Sequence, residues 1–166
     1  MNMALYRGLQ AIYRESEPLM RKKIIVLNGP NLNLLGSREP ETYGSTTLAE
    51  IEAMTKAHAQ SLEIEIDFRQ TNIEGTLVDW IQDAGETADG VILNAAAYTH
   101  TSIAVHDAIS AIKTPVVEVH LSNIFAREEY RHHSFVSDVA AGVICGFGAT
   151  GYILAVDALA AMLQRK

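Results

Sequence analysis

The sequence contains one cysteine, four prolines and no long apolar run. The single cysteine and the absence of an apolar run each exclude a class of protein. Cys145 has no partner within the chain, which excludes a disulfide-stabilised scaffold and predicts a reducing, cytoplasmic location. No run of about 18 apolar residues occurs, so we expect no membrane-spanning helix. Basic residues are outnumbered, 13 against 20 acidic ones, giving a net charge of −7. That balance argues against nucleic acid or an anionic membrane as a partner.

Common ligand-binding motifs are also missing. Neither G-x-x-x-x-G-K-[ST] nor a strand-linked G-x-G-x-x-G occurs, which disfavours an enzyme that binds nucleotide phosphates. The spacings H-x-x-x-H, H-E-x-x-H and C-x-x-C are absent as well. The sequence therefore predicts no metal site of a familiar type.

What is present is enough apolar material for one core, because 48% of the 166 residues are hydrophobic. Residues 1–21 are interpreted as an N-terminal extension of unknown role, and 22–166 as a single α/β domain. Strand-like patterns occur at 23–27, 64–68, 90–93, 115–119 and 142–145. Helix-like patterns separate them, which predicts a five-stranded parallel sheet with helices on both faces. The alternating IEIDF segment is typical of an edge strand.

Local signals place the helices. Thr47 to Glu50 and Thr71 to Glu74 both have the form of a capping box, which predicts a helix start at each. Residues 149–163 are apolar nearly all round, which is typical of a helix that lies either deep in the domain or at a contact with another subunit.

Chemically active side chains crowd the loops that follow strands one, three and four. In a parallel sheet, ligands bind beyond the carboxyl ends of the strands. The loop 28–44 is long and resembles a lid. It carries Arg38 and Tyr43, and an arginine about 4 Å from a tyrosine favours the phenolate by roughly 4 kcal/mol. Tyr43 could then act as a base, the alternative being a surface ion beside a packed aromatic ring.

The other two loops supply acids and cations. His100 follows the third strand at an expected helix start, where it serves either as a chemical group or as a helix cap. Ser122 begins a turn whose backbone N–H groups suit a carboxylate. Arg127 and Arg131 are four apart and either bind one anion or pair with neighbouring glutamates.

At these residues the chain resembles the type II 3-dehydroquinate dehydratases, the type II dehydroquinases of the shikimate and quinate pathways. The matching stretches are LNGPNLNLLGSREPETYG, ILNAAAYTHTS, EVHLSNIFAREEYRHHS and GVICGFGATGY. The resemblance implies a flavodoxin-like five-stranded parallel sheet, no cofactor, and trimers assembled into a dodecamer. The implied activity is the reversible loss of water from 3-dehydroquinate, which gives 3-dehydroshikimate through an enolate.

The resemblance also implies a role for each site residue. Tyr43 is the base and Arg38 keeps it ionised, while Asn31 positions a water against the enolate. His100 is the acid at the departing hydroxyl, with Glu118 as its orienting partner. The residues implied to bind substrate are Asn94, His120, Asp107 (from a neighbouring subunit), Leu121, Ser122, Arg131 and Arg127.

Two other classes of protein remain open from the residues alone. One is a flavodoxin-like flavin or signalling module, which predicts a yellow protein or an acidic cluster after the first strand. The other is a metal-dependent hydrolase built on Glu118, His120, His132 and His133. Neither alternative explains the pairing of Arg38 with Tyr43.

Overall fold

Five parallel strands form one sheet in the computed structural model, which describes residues 21–37 and 45–164. The strands are β1 (Lys22–Asn28), β2 (Ile64–Gln70), β3 (Gly90–Asn94), β4 (Val116–His120) and β5 (Gly142–Cys145). The helices are α1 (Leu48–Ser61), α2 (Glu74–Thr87), α3 (Ile103–Ala111) and α4 (Thr150–Gln164). The sheet order is β2-β1-β3-β4-β5, with every pairing parallel. The predicted α/β architecture is confirmed, and β2 lies at an edge as its alternating pattern predicted.

The interior strand β1 is buried on both of its faces. Ile24 and Val26 pack in a cluster with residues of α1 and α4. Ile25 and Leu27 pack in a second cluster with residues of α2 and α3. Because successive side chains of a strand point to opposite faces, the continuous apolar run of β1 supplies both cores.

Helix α1 starts where the capping box at Thr47 predicted it. Thr47 caps it, and the reciprocal hydrogen bonds of a capping box with Glu50 are both present. Met54 on this helix is 42% exposed, whereas the next residue, Thr55, is buried. The Thr55 hydroxyl donates to the Ile51 carbonyl at 2.7 Å, which satisfies the buried polar group.

The second predicted capping box is wrong. Helix α2 begins at Glu74, and Ile73 precedes it without a side-chain cap. The N–H of Thr71 donates to the Asn28 carbonyl at 3.0 Å, continuing the pairing of β1 with β2. Thr71 is therefore held by the sheet, and its hydroxyl instead accepts a hydrogen bond from the N–H of Ile73.

Helix α4 buries Tyr152, Val156 and Leu159 against the sheet, whereas Leu154 is 37% exposed. Other large apolar side chains are exposed as well, among them Phe125, Tyr130, Val143 and Phe147. Within 21–37 and 45–164, no helix has both the length and the apolar character that crossing a membrane requires. The expected N-terminal extension falls almost wholly outside those ranges.

Candidate active site

A pocket lies beyond the carboxyl ends of β1, β3 and β4. The chain places β2 on one side of β1 and β3 on the other, so the sheet order reverses here, at the position where such sheets bind ligands. The residues that line the pocket are Pro30, Asn31, Leu32, Leu35, Asn94, Ala96, Ala97, His100, His120, Leu121, Ser122, Ile124, Arg127 and Arg131.

Most of the site residues expected from the sequence meet in this pocket. Its lining includes Asn31, Asn94, His100, His120, Leu121, Ser122, Arg127 and Arg131. Arg38 and Tyr43 lie outside the described residues. Asp107 is on α3 with its side chain 72% exposed and bonded to His106 at 2.9 Å, and it does not line the pocket. Its expected contribution to a neighbouring subunit stays a prediction.

Glu118 orients His120 and not His100, so the expected pairing of Glu118 with His100 is wrong. His120 Nε2 donates to Glu118 Oε1 at 2.7 Å, and Glu118 is fully buried. The physical reason is strand periodicity, because residues two apart on β4 point to the same face. The buried carboxylate can compensate a positive charge on the His120 ring.

His100 is held by a different group. Its Nδ1 donates to the His133 carbonyl at 2.7 Å, and its ring stacks on that of His120 with centroids 6.3 Å apart. Burial lowers the pKa of His100 below its ordinary 6.5, and the neighbouring His120 and Arg131 lower it further against the opposing effect of the His133 carbonyl. A neutral His100 with Nδ1 committed offers Nε2 as a hydrogen-bond acceptor. The helix-cap alternative is wrong, because Ser102 caps α3.

Two arginines supply positive charge to the pocket. Arg131 Nε donates to Glu128 Oε2 at 2.9 Å, and Arg127 Nε lies 3.4 Å from the same oxygen. The predicted pairing with a neighbouring glutamate is confirmed for Glu128. Both arginines also line the pocket, and the binding of an anion by them stays a prediction. Arg131 also donates to the Tyr130 hydroxyl at 3.3 Å. A guanidinium carries five N–H donors in a planar fork, a geometry that suits carboxylate ligands.

Asn31 owes its position to the end of β2. It has a φ of 67°, in the left-handed region that asparagine tolerates better than most residues. Its backbone N–H donates to Asn72 Oδ1 at 2.9 Å, and Gln70 Nε2 donates to the same oxygen at 3.0 Å. The β1 loop is thus tied to the neighbouring strand beside the pocket.

Sequence reasoning missed three residues that support the site, namely Ser134, Tyr152 and Asn28. Ser134 Oγ donates to Glu118 Oε1 at 2.7 Å. The fully buried Tyr152 hydroxyl lies between Asn28 and Asn94. A tyrosine in the apolar run of α4 was the available signal, since a buried phenol requires a hydrogen-bond partner.

The metal-dependent alternative finds no support in the geometry. Across 21–37 and 45–164, no group of three or more His, Cys, Asp and Glu side chains is arranged to hold a metal ion. His132 Nε2 contacts the Arg127 carbonyl, and the His133 ring packs edge-on against Phe135. These two histidines are therefore engaged away from the Glu118 and His120 pair.

The fold and the pocket define a doubly wound α/β protein with two arginines and a carboxylate-oriented histidine at the carboxyl edge of its sheet. The model of one family, described as dehydroquinase class II, matches residues 22–160. The chain belongs to the class II dehydroquinase family.

Curated relatives and solved structures agree with this placement. The chain is 62% identical over 147 residues to a protein named 3-dehydroquinate dehydratase from Brucella canis, covering 89% of this chain and 94% of that one. A protein of the same name from Sinorhizobium medicae is also 62% identical, with 89% and 99% covered. The type II dehydroquinase structure from Propionibacterium acnes is 45% identical with a TM-score of 0.82, covering 84% of this chain and 97% of that one.

Proposed function

We propose that this chain is a 3-dehydroquinate dehydratase that reversibly eliminates water from 3-dehydroquinate to give 3-dehydroshikimate. The observation that carries the proposal is the pocket in which Arg127, Arg131, His100 and the Glu118 and His120 pair converge. The substrate is a small carboxylate with several hydroxyl groups, and this pocket offers cations together with groups that donate and accept hydrogen bonds. The 62% identity to proteins of that name supports the same reaction.

Substrate binding is assigned to the rim of the pocket after β4. Arg131 and the backbone N–H groups of Leu121 and Ser122 hold the carboxylate, with Arg127 beside them. Asn94 and the neutral His100 bind ring hydroxyls, because His100 Nε2 accepts a hydrogen bond and the Asn94 amide donates one. These contacts fix the ring against the catalytic groups, which lowers the entropic part of the barrier.

His120 is the residue we assign as the general acid. The departing hydroxyl needs a proton, and a histidine paired with a buried carboxylate can carry that proton in a site closed to water. Glu118 holds the Nε2 hydrogen of His120, so Nδ1 is the nitrogen that exchanges a proton in the pocket. This assignment replaces His100, whose lowered pKa suits an acceptor better than an acid.

Tyr43 is the proposed base, and the support for it is the resemblance of its loop to the family. It removes the C2 proton, Arg38 stabilises its phenolate, and Asn31 positions a water against the enolate oxygen. The alternative Schiff-base route needs a lysine in the site. None of the pocket residues in the described part of the chain is a lysine, which favours the enolate route.

The assembly and the cellular setting are part of the same proposal. We infer trimers that assemble into a dodecamer, with Asp107 reaching a neighbouring subunit's site, and a cytoplasmic enzyme of the shikimate or quinate pathway. The exposed Phe125, Phe147 and Leu154 supply apolar surface for such contacts.

An absorbance assay for the conjugated enone product tests the proposed reaction. Purified protein should generate the enone from 3-dehydroquinate. A chelator should leave the rate unchanged, and so should borohydride added with substrate. Inactivation by borohydride would indicate a Schiff base and overturn the enolate route, and the lack of any enone would overturn the reaction.

A further inference from the structure

Tyr152 forms the centre of a buried hydrogen-bond chain that reaches the pocket from below. Its side chain is fully buried on α4, and its hydroxyl lies between the carboxyl ends of β1 and β3. The hydroxyl donates to Asn28 Oδ1 at 2.6 Å and accepts from Asn94 Nδ2 at 2.9 Å. Of these three hydrogen-bonded residues, Asn94 is the one that lines the pocket.

The direction of each hydrogen bond in the chain is fixed by backbone groups at its two ends. Asn28 Nδ2 donates to the Arg69 carbonyl at 3.0 Å, and a carbonyl can only accept, so Asn28 Oδ1 must face Tyr152. Asn94 Oδ1 accepts from the backbone N–H of Ala96 at 3.2 Å, and an N–H can only donate, so Asn94 Nδ2 must face Tyr152.

The phenol is therefore required both to donate and to accept, which only a protonated tyrosine does here. Burial raises the pKa of the Tyr152 hydroxyl well above its ordinary value of 10.0, so it keeps its proton throughout the working range of an enzyme. Phenylalanine would fill the same space and leave Asn28 Oδ1 and Asn94 Nδ2 buried without this partner.

We propose that Tyr152 is a positioning residue that fixes the orientation of the Asn94 amide at the floor of the pocket. With one N–H bonded to Tyr152 and one lone pair bonded to Ala96, Asn94 presents its second N–H to a substrate oxygen. Loss of the phenol leaves the 3.2 Å hydrogen bond from the Ala96 N–H as the contact that orients the amide. The less restrained amide then samples rotated positions in which its second N–H no longer points at the substrate oxygen. The inference rests on the proposed function, because Asn94 binds substrate only in that scheme.

Steady-state kinetics of Tyr152→Phe test the proposal. We expect KM for 3-dehydroquinate to rise roughly tenfold with kcat within about twofold, since the lost interaction binds ground state and transition state alike. In an Asn94→Ala background, Tyr152→Phe should leave KM unchanged, because the residue it positions is gone. An unchanged KM in Tyr152→Phe, or the same rise in both backgrounds, overturns the proposal.

A matched control separates positioning from simple destabilisation. Thr55→Val also removes a fully buried hydroxyl, one that donates to the Ile51 carbonyl within α1 and belongs to no residue lining the pocket. It should lower Tm and leave KM as in wild type. A rise in KM for this control would show that any buried hydroxyl has the effect, and would overturn the assignment to Tyr152.

A second variant keeps the test decisive if Tyr152→Phe does not fold. Asn28→Ala removes the acceptor of the phenol proton and frees Tyr152 to donate to Asn94, which favours the rotated amide. It should raise KM in the same way, and an unchanged KM overturns the proposal. Wild-type protein without any turnover would instead refute the proposed function, so the two failures are distinct.

Discussion

His120 and His100 lie side by side, yet their partners predict different kinetic roles. His120→Gln should lower kcat at least about 100-fold, the usual range for a lost general acid, while exchange of the C2 hydrogen with deuterated water persists. His100→Gln should mainly raise KM, because it removes an acceptor for the substrate. Rates and exchange measured on the same preparations check both outcomes.

His58 provides the control for those two substitutions. His58 pairs with Asp157 on α4 at 2.6 Å and does not line the pocket. His58→Gln should therefore leave kcat and KM unchanged. A larger loss of kcat in His100→Gln than in His120→Gln would restore His100 as the acid.

The lowered pKa of His100 predicts how binding responds to pH. The neutral ring accepts a hydrogen bond from substrate, so KM should stay flat from pH 8 down to about 6.5 and rise only below that. Folding stability should also decrease on acidification, because this histidine has the higher pKa in the unfolded chain and therefore binds a proton there at a higher pH than in the folded protein. The stability contribution of neutral His100 is therefore full above 6.5 and lost as the pH falls through the folded value.

Measuring KM and Tm across that range in wild type and His100→Gln checks this prediction. The rise in KM on acidification should be absent from the variant. A midpoint at or above pH 6.5 in wild type would contradict the effect of burial on this ring.

Tyr43 is the third residue with a distinct expected phenotype. Tyr43→Phe should keep the fold and lose at least about 100-fold in kcat, as expected for loss of a general base. Exchange of the C2 hydrogen should be lost with it, in contrast to His120→Gln. Near wild-type turnover in this variant would show that another group removes the proton.

The close approach of β1 to β3 is what shapes the floor of the pocket. Gly29 follows β1, and its N–H donates to the Asn94 carbonyl at 2.8 Å. A Cβ on Gly29 would lie 2.4 Å from the Ala95 carbonyl oxygen, a backbone atom that cannot move without separating the two strand ends. Gly29→Ala should destabilise the fold by about 1–3 kcal/mol and reduce activity.

Gly75, in helix α2, serves as the control for Gly29. A Cβ there meets nothing within 4 Å, so Gly75→Ala on α2 should stabilise the protein by about 0.5–1 kcal/mol with unchanged kinetics. Chemical denaturation and the enone assay measure both quantities. A Gly29→Ala protein as stable and active as wild type would show that the strand ends can separate freely.

The largest contacts expected of this molecule are with copies of itself. The proposed assembly predicts a mass in solution twelve times that of one chain by light scattering, with trimers at low denaturant concentration. Apolar side chains such as Phe125 and Phe147 would otherwise face water, which disfavours an isolated chain. A mass of one chain under assay conditions would contradict the assembly and the expected role of Asp107.

Much of this protein was readable from the sequence, for reasons that are local. The alternation of strand and helix patterns determined the parallel sheet, and the edge position of β2 followed from its polar alternation. Because parallel strands end at one edge, the residues after strands one, three and four were predicted together, and eight of them line the pocket. Composition and motifs were sufficient there, since each inference concerns neighbours along the chain.

Only the tertiary structure decided which side chains act as pairs. Glu118 contacts Ser134, and His100 contacts the His133 carbonyl, because packing brings separate segments against the end of β4. The chain of hydrogen bonds through Tyr152 joins α4 to β1 across 124 positions of sequence. Hydrogen bonds depend on distances of a few tenths of an ångström between such segments, and no periodicity along the chain encodes those distances.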